Sequence, residues 1–124
     1  MIKSVLFVCL GNIFRSPTAE CIFREKAKIS KLDISKLRAR KIKIADFNEF
    51  DLLVVMDQEN RSNLQKLCPE QLDKVNLLTD YSLEVLEYGY VPDPYYTRNF
   101  NQTLDIIEAS LNGLIESVKN HNNK

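Results

Sequence analysis

Cys9 and Arg15 are the residues of this chain whose types and spacing most directly permit chemistry. They stand with five residues between them in Val8-Cys9-Leu10-Gly11-Asn12-Ile13-Phe14-Arg15-Ser16-Pro17. A thiolate is a strong nucleophile, and a guanidinium is a planar fork that fits the oxygens of a phosphoryl group. Gly11 lets the backbone approach a ligand closely, and Asn12 tolerates a left-handed conformation. Ser4-Val5-Leu6-Phe7-Val8 is a continuous apolar run that suits a strand buried on both faces. Ser16 suits an N-cap and Pro17 a first helical residue, so a helix is expected to begin there. The loop from Leu10 to Arg15 would then present its backbone N–H groups and a helix N-terminus to an anion. The same dipoles, with Arg15 and the Ser16 hydroxyl, should favour a thiolate at Cys9 and lower its pKa. The Gly-Lys-Ser/Thr ending of a nucleotide-binding loop is missing, so the bound anion is not expected to be a nucleotide phosphate chain.

Such a nucleophile needs an acid to protonate a departing oxygen. Asp93 is the candidate, because Pro92 and Pro94 stiffen its segment and Tyr95-Tyr96 can shield it from water. Composition alone reads this segment equally well as a proline-rich turn with surface tyrosines. The single histidine, His121, falls in a tail expected to fray over residues 120–124. Cys21 and Cys68 are expected to be small buried apolar side chains. Three cysteines without paired spacing argue against a disulfide framework or zinc site and for a reducing cytoplasm.

The elements that must position these residues alternate between strand and helix. The first helix is expected over 16–28, with Ala19, Ile22, Phe23 and Ala27 on its apolar face. Leu32-Asp33-Ile34-Ser35 reads equally as a short strand or a loop. Residues 50–56 form a second buried run, 59–67 a helix stopped by Pro69, and 75–78 a third strand. Residues 81–90 have room for a helical turn. Leu104, Ile107, Leu111, Leu114, Ile115 and Val118 recur at helical spacing and mark the surest helix. This order predicts a three-layer α/β/α fold around a small parallel sheet of three clear strands, with a short fourth if 32–35 is the strand of its two readings. In such sheets ligands bind beyond the carboxyl ends of the strands, where Cys9 to Arg15 falls.

The chain of 124 residues suits one domain over residues 1–124, with 44% hydrophobic and 27% charged residues and zero formal net charge. The charge is uneven: residues 1–43 carry net +8 and residues 44–124 net −8. Solvated helix faces explain this most simply; the alternatives are a phosphate-attracting N-terminal half or self-association. No segment approaches the ~20 apolar residues that span a bilayer, so neither membrane nor nucleic acid is an expected partner.

Taken together, Cys9–Arg15 and Asp93–Tyr96 resemble the low-molecular-weight protein tyrosine phosphatases. The match continues through Ala19-Glu20, Asp33-Ile34-Ser35, Ala39-Arg40, Asp46-Phe47, Phe50-Asp51, Met56-Asp57 and Asn60, in family order. The resemblance implies hydrolysis of protein phosphotyrosine through a cysteinyl-phosphate on Cys9, with Arg15 binding phosphate and Asp93 as general acid and then base. It implies that Leu10, Gly11, Asn12, Ile13, Phe14 and Ser16 form the phosphate loop and that Tyr95 and Tyr96 line the cleft. It also implies a phosphotyrosine protein as substrate, a tyrosine kinase among the candidates, phosphate or sulfate in the loop, and no metal or cofactor.

Three departures stand out. Phe14 replaces a usual second Cys, and Leu37 replaces a His that in many members supports the loop Asn. The family's second strand and a further helix are missing between the first helix and Leu32. The exposed edge of the first strand is therefore expected to be covered by residues 29–35 or to pair with a second copy as a homodimer. With one cleft wall reduced, weak or less selective activity is expected. The alternatives are an arsenate reductase of the same fold and a module that captures phosphotyrosine or another oxyanion without turnover.

Overall fold

The computed structural model describes residues 1–9 and 14–123. Among them, four parallel strands form one sheet in the order β2-β1-β3-β4. The strands are β1 (Ser4–Val8), β2 (Lys36–Arg40), β3 (Leu52–Val55) and β4 (Val75–Leu77). Five helices accompany them: α1 (Arg15–Ile29), α2 (Asp46–Glu49), α3 (Gln58–Leu67), α4 (Pro94–Thr97) and α5 (Phe100–Asn122). Short 3-10 turns at Pro69–Lys74 and Leu78–Tyr81 flank β4.

Alternation along the strands builds the three layers. Val5, Phe7, Leu52 and Val54 join a core with Phe23 of α1 and Ile107, Leu111 and Leu114 of α5. Leu6, Val8, Leu53 and Val55 face the other way, onto Phe47 of α2, Phe50 and Leu64 of α3. Both faces of β1 and β3 are apolar because both are covered, which is why their sequences run without polar interruption. Close packing of α5 over the turn at Tyr81 requires Gly113, since a Cβ there would collide with the Tyr81 carbonyl.

Several sequence expectations need correction. Of the two readings of 32–35 the loop holds, and the fourth strand is Lys36–Arg40, which the sequence did not single out. Val5 lies opposite Leu37 on one side and Leu52 on the other, so β1 has no free edge and the proposed dimer through it has no template. Basic residues concealed β2: Leu37 faces the core while the Lys36 Nζ and the Arg40 Cζ lie over Phe50, 4.6 and 5.7 Å from the ring centre. The first helix opens at Arg15 with Phe14 at its cap position, so Ser16 lies inside the first turn. Residues 82–90 hold no helix; the turn precedes them at Leu78–Tyr81. Cys21 is exposed, whereas Cys68 is buried as expected. The C-terminal helix does not fray at 120: the Asn122 amide brackets Ile2, accepting from its N–H at 2.7 Å and donating to its carbonyl at 2.9 Å.

Candidate active site

Cys9 follows the last residue of β1 and is half-buried at the carboxyl end of the sheet. Its N–H donates to the Arg40 carbonyl at 3.0 Å, so the β1–β2 ladder extends one residue and fixes where the thiol begins. Arg40 is itself held by two bonds to the buried Asp46 carboxylate, at 2.7 and 2.8 Å. Leu10, Gly11, Asn12 and Ile13 lie outside the described residues. The chain resumes at Phe14, whose ring meets Phe100 of α5 edge-on, with centroids 5.2 Å apart.

Arg15 is 7% exposed, and its Nη1 is held by two groups. Its Nη1 donates to the Asp57 carboxylate at 2.9 Å and to the Val91 carbonyl at 2.8 Å. Its Nε is buried and, among the described residues, has no hydrogen-bond partner. A buried donor without a partner costs about 1–3 kcal/mol, so this nitrogen is set for an acceptor supplied from outside the fold. Asp57 is the functional residue that motif reading left without a role. One of its oxygens caps α3 by accepting from Asn60 N–H at 2.8 Å, and the other holds Arg15. The available signal was an Asp directly after a buried strand and before a helical run, which marks an N-cap.

The Ser16 hydroxyl donates to the Val8 carbonyl at 2.8 Å. It is also within reach of the Cys9 sulfur, but its one proton serves one acceptor at a time. Burial pushes the Cys9 thiol above its ordinary pKa, while the Ser16 hydroxyl and the Arg15 charge oppose that rise and Glu20 adds to it. This reverses the expectation of a lowered value. The physical reason is that desolvation of the thiolate outweighs the described donors around it.

A cleft of about 550 Å³ opens between the start of α3 and residues 90–97. Arg15, Asp93 and Tyr96 line it, together with Asp57, Asn60 and Tyr90. Cys9 and Tyr95 are not among its lining residues. Tyr95 is 67% exposed, meets Tyr96 edge-on at 5.0 Å and lies beneath Arg98. Asp93 caps α4, accepting from Tyr95 N–H at 2.9 Å. Leu37 is buried in the core and carries no polar group.

The family model described as low molecular weight phosphotyrosine protein phosphatase matches residues 4–34 and 27–124. The chain belongs to that family. Its two matched stretches overlap over residues 27–34, at the end of α1 and the connection that follows it. The tyrosine phosphatase YfkJ of Bacillus subtilis is 31% identical over 150 aligned positions, covering 94% of this chain and 96% of the relative. The crystal structure of YfkJ superposes with a TM-score of 0.87, covering 98% of this chain and 97% of that one. PtpA of Staphylococcus haemolyticus is 30% identical, with 92% of each chain covered. Escherichia coli Wzb, crystallised with sulphate, shares the fold at 21% identity with a TM-score of 0.79, over 95% of this chain and 99% of that one. As a low molecular weight tyrosine phosphatase, the chain is an enzyme, and the comparisons favour neither an arsenate reductase nor a binding module without turnover. In this phosphatase the sheet position beside β1, expected to lack its strand, is filled by β2 from Lys36–Arg40.

Proposed function

We propose that this phosphatase hydrolyses protein phosphotyrosine in two steps, with Cys9 as nucleophile, Arg15 as phosphate fork and Asp93 as acid and base. The observation that carries the reading is the Arg15 guanidinium: buried, charge-balanced by Asp57 and with Nε unpaired beside the cleft that Asp93 lines. The Arg15 fork and the loop formed by Leu10, Gly11, Asn12, Ile13 and Phe14 hold the phosphoryl oxygens, leaving phosphorus in line with Cys9. The Cys9 thiolate attacks phosphorus, the P–O bond to tyrosine breaks, and Asp93 gives its proton to the departing phenolic oxygen. Tyrosine has a pKa near ~10, so an unprotonated phenolate is a poor leaving group at neutral pH. In the second step the Asp93 carboxylate takes a proton from water, the oxygen attacks the cysteinyl-phosphate, and phosphate departs as the thiolate re-forms. The Ser16 hydroxyl can turn from the Val8 carbonyl to the sulfur when the thiolate forms. Tyr96 forms a side of the cleft, and the exposed Tyr95 ring packs edge-on against it.

Phosphate or sulfate would occupy the loop in the absence of substrate. A tyrosine kinase bearing phosphotyrosine is a suitable protein substrate. No helix among the described residues is long and apolar enough to cross a membrane. Together with three free cysteines, this supports a cytoplasmic setting.

The test is turnover of para-nitrophenyl phosphate and a phosphotyrosine peptide by the wild type, Cys9→Ser and Asp93→Asn. Cys9→Ser should abolish both. Asp93→Asn should reduce peptide turnover by about 10²–10⁴-fold and affect para-nitrophenyl phosphate less, because nitrophenolate leaves without a proton. Full turnover in Cys9→Ser would overturn the nucleophile assignment.

A further inference from the structure

We propose that Thr103, in the first turn of α5, is a positioning residue for Asp93, acting as a latch on the backbone beside the acid. The proposal rests on the reading of Asp93 as the acid. Pro92 and Pro94 on either side of Asp93 have no N–H, so this segment can be held largely through its carbonyls. Three successive groups are held. Val91 N–H donates to the Met56 carbonyl at 2.9 Å, and the Val91 carbonyl accepts from Arg15 Nη1 at 2.8 Å. The Pro92 carbonyl then accepts from the Thr103 hydroxyl at 3.0 Å, and the bond is buried. Thr103 therefore holds the peptide unit that leads into Asp93.

The choice of residue matters. Thr103 is 0% exposed, so its hydroxyl must find a partner inside the protein. It has two: the Pro92 carbonyl at 3.0 Å and the carbonyl of Asn99, one helical turn back, at 3.4 Å. When residues 92–93 move, the proton can return to Asn99, as helical threonines commonly allow, and no buried donor is stranded. The latch can thus open and close without the cost of an unpaired hydroxyl. The same helical turn carries Phe100, whose ring rests on Phe14 next to Arg15. One turn of α5 therefore touches both the phosphate loop and the acid segment.

The test compares kcat/KM for phenyl phosphate, a poor leaving group, with that for para-nitrophenyl phosphate, a good one. The ratio of the two is read on one protein and does not depend on the folded fraction. Thr103→Val keeps the shape and removes the hydroxyl; it should lower the phenyl to nitrophenyl ratio about tenfold, part of what a general acid supplies. Thr103→Ser restores the donor and should keep the ratio within about twofold of wild type, as a hydrogen-bonding role requires. Asp93→Asn should lower the ratio further than Thr103→Val. If Asp93→Asn lowers the ratio and Thr103→Val leaves it at the wild-type value, the latch is overturned and the acid assignment stands. If Thr103→Ser is as impaired as Thr103→Val, the hydroxyl is not the cause and the latch is likewise overturned. If Asp93→Asn leaves the ratio unchanged, the acid assignment falls, and the latch with it.

Discussion

Replacing Asp57 with Asn isolates what holds Arg15 in place. Asn is as good an N-cap as Asp, so α3 keeps its first-turn bond to Asn60 N–H. What disappears is the charge opposite a guanidinium whose side chain is 8% exposed. Removing one partner of a fully buried pair costs about 3–5 kcal/mol, because the remaining charge stays buried and unbalanced. Asp57 is itself 23% exposed, so water reaches the gap and the expected cost is lower, about 2–3 kcal/mol. For a domain of this size that is a fall in Tm of about 8–12 °C. Arg15 would retain the Val91 carbonyl but lose its orienting carboxylate, and kcat/KM should fall about 10–100-fold from misplacement of the fork. Inorganic phosphate supplies the missing negative charge, so it should raise the Tm of Asp57→Asn more than that of wild type. Asp57→Ala should lose about 1 kcal/mol more, the value of the cap. Urea and thermal unfolding with and without phosphate, alongside para-nitrophenyl phosphate kinetics, read all of these. Wild-type stability and turnover in Asp57→Asn would refute the argument that this carboxylate holds the fork.

Further consequences follow from the thiol, the β2 clamp and the α5 contact. Because burial raises Cys9 above an ordinary thiol, its alkylation by iodoacetamide should speed up with a midpoint higher than that of an exposed cysteine such as Cys21. Ser16→Ala removes a donor that favours the thiolate and should move that midpoint higher still; an unchanged midpoint would show that Ser16 does not reach the sulfur. The bonds from Arg40 hold the Asp46 carboxyl below its usual range, with its burial opposing and the Lys43 N–H assisting. A depressed carboxylate contributes stability above its unfolded pKa of about 3.9 and loses it as pH falls through the folded value. Asp46→Asn should therefore be less stable than wild type at pH 7, with the gap closing below about pH 4 in urea titrations. Gly113→Ala forces a methyl onto the Tyr81 carbonyl and should cost about 3 kcal/mol or more, visible as a lower urea midpoint.

Local features carried much of the fold in readable form. The double-sided apolar runs of β1 and β3 and the helical period of α5 are properties of contiguous residues, and each appears where its pattern predicts it. The type and order of Cys9, Arg15 and Asp93 were equally legible, since a thiol, a guanidinium and a carboxyl are identified by their side chains. What the tertiary structure decided depends on partners distant in the chain. β2 is basic along one face and becomes a strand because Phe50 and Asp46 receive Lys36 and Arg40. The resting state of Cys9 depends on burial outweighing the neighbouring donors, a balance that spacing cannot supply. Asp57 reaches Arg15 across 42 positions and Thr103 reaches Pro92 across 11, through hydrogen bonds that exist only once β3, α3 and α5 are packed. Chemistry could be read from residue types because reactivity is a property of side chains. Orientation required the fold, because a side chain is held only by the groups that packing brings to it.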